Sequence, residues 1–289
     1  MNREASRAWA HSSISLSRLL GTSTALIATL ATGCQVETRS WPTERRDSSD
    51  ILVRDLRLNS DQELEVLRGV SVLKGGLSLG GSVTDLSALE QLTHIAGDLR
   101  VDAARLESLS GLERLHSVDG SLNIAGAELV NLEGIGGLSQ VGGYFYVSGE
   151  HLRSLKGLFG LRRVRGDLLL SGKCPALRDF SGLERLVEVD GDVYIENHHV
   201  VSLRGLDGLR DVRGGLYVYA DLTDLTGLGA LESVGGNLVL ESLALSGLHG
   251  LMGVRQIGGY LSFRYTGVTD LSVLERLDRL TRVEFHGSQ

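Results

Sequence analysis

The hydrophobic positions along this chain keep two different beats that alternate with each other. One is a beat of two, as in Val118, Gly120, Leu122 and Ile124 with Asp119, Ser121, Asn123 and Ala125 between them. Period two predicts a strand with one face inward. The other is a beat of three, as in Leu177, Phe180, Leu183, Leu186 and Val189, or Leu222, Leu225, Leu228, Leu231 and Val234. A period of three fits short 3₁₀-like turns, each of which points one apolar side chain inward. No stretch carries a 3.6-residue stripe long enough for an independent helix.

The pair of beats recurs. Taking the glycine of VDGDVYI (Val189 to Ile195) as reference, equivalents stand at Gly75, Gly97, Gly120, Gly143, Gly166, Gly191, Gly214, Gly236 and Gly259, spaced by 22 to 25 residues. A degenerate unit lies at each end, Leu52 to Leu58 with Arg54 in the glycine place and Val283 to His286 with Phe285 there, and these read as caps. The expectation is a mainly β repeat solenoid of about ten rungs whose strands form one parallel sheet. No rung is stable alone, so each depends on its neighbours.

Composition supports an array over an ordinary globular domain, with 38 Gly, 2 Pro and 5% aromatic residues. The first residues differ from the rest. Arg3, Arg7 and Arg18 precede an apolar run from Leu19 to Ala31 that ends in Thr32-Gly33-Cys34. The run is shorter than the about 20 residues a spanning helix needs, so residues 1–33 read as an export signal. Residues 34–50 read as a solvated tether and residues 51–289 as the repeat domain. Without Arg3, Glu4, Arg7 and Arg18 the formal charge of −7 becomes −9, and no basic stripe offers itself to nucleic acid. Cys34 and Cys174 are the only cysteines, so no network of disulfides staples the fold.

Small residues immediately before Cys34 resemble the lipobox of bacterial lipoproteins, although Ala31 stands where that family prefers Leu. The resemblance implies that Cys34 is acylated, and the absence of Asp at Gln35 implies sorting to the outer membrane or cell surface of a bacterial envelope. Ordinary signal cleavage near Ala31 is the alternative. The pattern L-x-x-L-x-x-L-x-x-V-x-G-x-L-x-I, from about Ile51 to His286, resembles the receptor L domain, a leucine-rich-repeat relative. That implies a right-handed solenoid that binds a protein or glycan without catalysis. The segments from Val83 and Val268 also resemble internalin-type leucine-rich repeats. The chain departs from these families in lacking their disulfides and most of the asparagine ladder, of which Asn197 is the clearest member.

Six of the seven tyrosines, Tyr144, Tyr146, Tyr194, Tyr217, Tyr219 and Tyr260, fall at positions the alternation turns outward. Tyr194 and Tyr217 should stack in one column, which Tyr146, Leu169 and Val239 extend as an exposed strip. Asp98, Asp167, Asp192, Glu196 and Glu241 flank it. Amphipathic rings beside hydrogen-bond acceptors suit a protein or a sugar, and tyrosine's β-propensity explains the same placement without a ligand. No cofactor is implied. Glu196-Asn197-His198-His199 is an incomplete set for a metal, and Cys174 lacks an adjacent base that would activate it. Two other readings stay open: a β-helix glycan-degrading enzyme using Asp167 and Asp192 on adjacent rungs, and a structural envelope protein with no ligand.

Overall fold

The computed structural model describes residues 51–287 apart from 126, 127 and 171. The export signal, the tether and Cys34 lie outside the described residues. Within them the chain is a β-solenoid in which every strand pairs in parallel with its equivalent one rung away.

Each rung contributes two strands. Where the alternation predicts one continuous strand and one sheet, the structure shows a break at the glycine: Ser117–Val118 and Leu122–Ile124 are separate strands in separate sheets. The first sheet has ten two-residue strands, from Ile51–Leu52 to Gln256–Ile257. The second has eleven strands, from Leu56–Leu58 to Arg282–His286, and at about 4.8 Å per rung it runs about 48 Å. Close approach at the corner is what requires glycine. A Cβ on Gly120 would stand 2.6 Å from the carbonyl carbon of Gly97 on the rung before.

The corner also explains the aspartates that follow the glycine. The Ser121 N–H there is met by a side chain, donating 2.7 Å to Asp98 Oδ1 one rung back. Asp55 serves Gly76 N–H (2.7 Å), Asp167 serves Asp192 N–H (2.8 Å), Asp192 serves Gly215 N–H (2.6 Å) and Asn237 serves Tyr260 N–H (3.1 Å). Half-buried amides would otherwise lack acceptors, so these side chains form an interrupted ladder along the corner.

The beat of three is a chain of single turns. Leu183 N–H donates to Phe180 (3.1 Å) and Leu186 N–H to Leu183 (2.9 Å), so each apolar residue both closes one turn and opens the next. Their side chains fill the core with no measurable exposure, together with Phe145 and Phe263. A second glycine column escaped the sequence reading. Gly157, with φ of +116°, begins such a return where a side chain would both strain the backbone and overlap the Leu132 carbonyl one rung back.

The first unit holds Arg54 level with Gly75, as its spacing predicts, whereas the last unit differs from the cap expected of it. In the last unit Tyr260 pairs with Arg282 and Phe263 with Phe285, so Thr281 rather than Phe285 occupies the corner. Its Leu274, Leu277, Leu280 and Val283 stay half-buried. Their equivalents one rung earlier, Leu251, Val254, Ile257 and Leu261, are exposed by 3% or less.

Candidate functional site

The outward faces of the two sheets have different chemistry. On the short-strand sheet the column begins with Ile51 and Val72 and then turns polar, with several side chains paired: His94 Nδ1 lies 2.7 Å from Ser117 Oγ, Ser233 Oγ donates 2.6 Å to Asp211, and Arg163 reaches Glu188 at 3.2 Å and Asp190 at 2.8 Å. Such pairs satisfy each other and leave little to offer a ligand. On the long sheet the middle column runs Arg57, Ser78, Arg100, Asn123, Tyr146, Leu169, Tyr194, Tyr217, Val239, Ser262, Glu284 in strict register. It changes from polar to aromatic and apolar at its centre.

Tyr194 and Tyr217 stack with ring centroids 4.7 Å apart and an interplanar angle of 7°. Parallel pairing sets that spacing, because residues in register on adjacent strands sit one rung apart. Each ring is also fixed at its polar tip. Tyr194 Oη donates 3.1 Å to Asp192 Oδ2, and the Tyr217 hydroxyl is bonded to Asn237. Tyr217 lies back over Gly215, where a Cβ would meet its ring carbon at 2.5 Å. Gly215 is therefore a socket for the ring.

Val239 is not part of an exposed strip, as the alternation implies. It is 1% exposed although it points away from the core. Tyr217 is its register partner on the strand before, which also carries Tyr219, and the strand after carries Tyr260. Ser262, next in the column, is likewise buried, and its hydroxyl finds no hydrogen-bond partner among the described residues. Desolvation pushes the phenols of Tyr194, Tyr217 and Tyr219 above the ordinary tyrosine range, and for Tyr194 the Asp192 carboxylate adds to it.

The other expected residues separate into groups. Asp98, Asp167 and Asp192 each commit Oδ1 to a backbone amide one rung ahead, and Asp192 commits Oδ2 to Tyr194 as well, so all three have a structural role at the corner. Glu196, Tyr219, Glu241, Arg264 and His286 form the next column, in which Glu241 and Arg264 approach to 3.9 Å. Glu196 is exposed and Glu241 half-buried. Tyr144 lies in the corner, 40% exposed and apart from the stack. Tyr146 stands two rungs from Tyr194 with Leu169 between, and it lines a shallow concavity of about 740 Å³ with Glu150, Lys173, Glu196, His198 and His199.

His198 approaches Asp221 at 3.4 Å, and among the described residues no three His, Cys, Asp or Glu side chains group as a metal site. Cys174 is buried in the core, and desolvation raises its thiol pKa, the opposite of activation. Asn197 is buried beside it, donating 3.1 Å to the Cys174 carbonyl and accepting 2.9 Å from His199 N–H, so the one clear ladder asparagine is structural. No helix among the described residues is long and apolar enough to cross a membrane.

No family model matches the chain, and no curated protein matches it. Among solved structures it is similar to an internalin from Listeria monocytogenes, at 15% identity over 82% of this chain and 86% of that one, with a TM-score of 0.30. The solenoid assignment rests on the strand ladder itself.

Proposed function

We propose that this protein is a non-catalytic recognition module that binds a protein partner through the outward face of its long sheet, held at a bacterial envelope membrane by a lipid on Cys34. The observation that carries the reading is the stacked pair of Tyr194 and Tyr217 on the outward face of the long sheet, whose neighbouring strands also bring Tyr219 and Tyr260 beside the column of Val239. Stacked, hydrogen-bonded rings lose little further entropy on binding and offer both apolar area and polar tips. The face has only a shallow concavity beside it, which suits a macromolecular surface better than an enclosed small molecule.

The glycan-hydrolase alternative finds no support in its carboxylates. Asp167 and Asp192 already serve as corner acceptors, and Asp192 also takes the Tyr194 hydroxyl. The test is capture of the partner from envelope extracts and from arrays of glycans and peptidoglycan, using the wild type and the Tyr194→Ser/Tyr217→Ser variant. Protein retention by the wild type and its loss in the variant, with an unchanged circular-dichroism spectrum, is the expected result. Retention of a glycan alone would redirect the reading to sugars, and equal retention by both proteins would sink it. Mass spectrometry of the mature N-terminus tests the lipid on Cys34.

A further inference from the structure

The strand Arg282–His286 ends the long sheet. It pairs in parallel with Tyr260–Arg264 on one side, and among the described residues nothing pairs with the other. The His286 carbonyl accepts from Tyr265 N–H at 2.9 Å. Alternation along a parallel ladder then turns the amides and carbonyls of Arg282, Glu284 and His286 toward that neighbour, and those of Val283 and Phe285 toward the open edge. Beside this edge the apolar core is uncovered. Phe285 stacks on Phe263 with centroids 5.2 Å apart yet remains 48% exposed. A five-residue edge with free backbone groups and an open core is a template for another strand.

We infer that the strand filling it is the same strand of a second copy, joining two solenoids about a two-fold axis. Antiparallel pairing centred on Val283 sets Val283 against Val283 as a pair that exchanges both hydrogen bonds, using the two residues' outward-turned groups. The same register puts Arg282 of each copy opposite Glu284 of the other, twice, so that the Arg282–Glu284 ion pair within each strand is exchanged for the same pair across the axis. An isologous interface needs a patch complementary to itself, and this sequence is so in charge, in backbone and in the apolar residues beneath. Each copy then covers the half-buried Leu274, Leu277 and Leu280 of the other's end. The face carrying Tyr194 and Tyr217 is left free.

Sedimentation equilibrium of the full chain in mild detergent tests the pairing. The wild type should dimerise reversibly. Glu284→Arg, which sets Arg against Arg twice, should weaken the dimer at least about tenfold, and Arg282→Glu/Glu284→Arg should restore it by reversing both partners together. Tyr194→Ser/Tyr217→Ser should dimerise like the wild type, which separates this interface from the proposed recognition face. A monomeric wild type, an undiminished Glu284→Arg dimer, or a folded double variant that stays monomeric would each overturn the inference.

Discussion

Tyr194 and Tyr217 lie ring on ring at 4.7 Å, and a single residue that is neither of them permits it: Gly215, whose missing side chain leaves the space Tyr217 occupies. The stack is thus a product of three positions on two rungs, fixed at its hydroxyl ends by Asp192 and Asn237.

The energy of that contact is open to a double-mutant cycle. Stacked rings contribute about 1 kcal/mol beyond their area burial. Urea denaturation of Tyr194→Leu, Tyr217→Leu and the double variant should give a coupling of that size, and a coupling near zero would show that the rings are merely adjacent.

Gly215→Ala should displace the Tyr217 ring. Overpacking of this kind costs about 1–3 kcal/mol, and near-ultraviolet circular dichroism should report the lost stack. Gly229→Ala is the control, since a Cβ there meets nothing within 4 Å. Its denaturation midpoint should stay near that of the wild type.

At the corner the ladder needs an acceptor rather than a charge. Asn237 does for Tyr260 N–H what Asp192 does for Gly215 N–H. Asp192→Asn should accordingly be mild, while Asp192→Ala leaves a buried amide unmet and costs about 1–3 kcal/mol. Equal effects of the two substitutions in chemical denaturation would contradict this account.

Raised phenol pKa values make the fold sensitive to alkali. In the native state Tyr194, Tyr217 and Tyr219 hold their protons above the ordinary phenol range, chiefly through desolvation. The unfolded chain releases them near pH 10 or so, so above that pH it binds fewer protons than the native state and stability falls as pH rises. Their contribution is fully present below about pH 10 and is lost as pH climbs through the native values. Absorbance at 295 nm should show these phenols ionising late, and Tyr217→Phe should flatten the decline.

Much of this was legible in residue order. The glycine spacing of 22–25 residues revealed the rungs, the beat of three became a chain of three-residue turns, and the common column of Tyr194 and Tyr217 became a stack. These are consequences of local periodicity, which repeats wherever the residues do. The break at each glycine was hidden because alternation continues through it: Val118 and Leu122 both point inward although a corner separates them. Asp192 read as a free carboxylate because outward alternation says nothing of the amide one rung ahead.

The sequence by itself determined the solenoid, its rung length and the inward residues, because a side chain's face follows from counting along the backbone. Only the tertiary structure decided which outward residues are free, since that depends on neighbours more than twenty residues away. Stacking of rungs turned Asp167 and Asp192 into corner acceptors, buried Val239 on an outward face beside Tyr217 and left Phe285 half exposed on the last strand. One rung determines direction, whereas adjacent rungs together determine exposure.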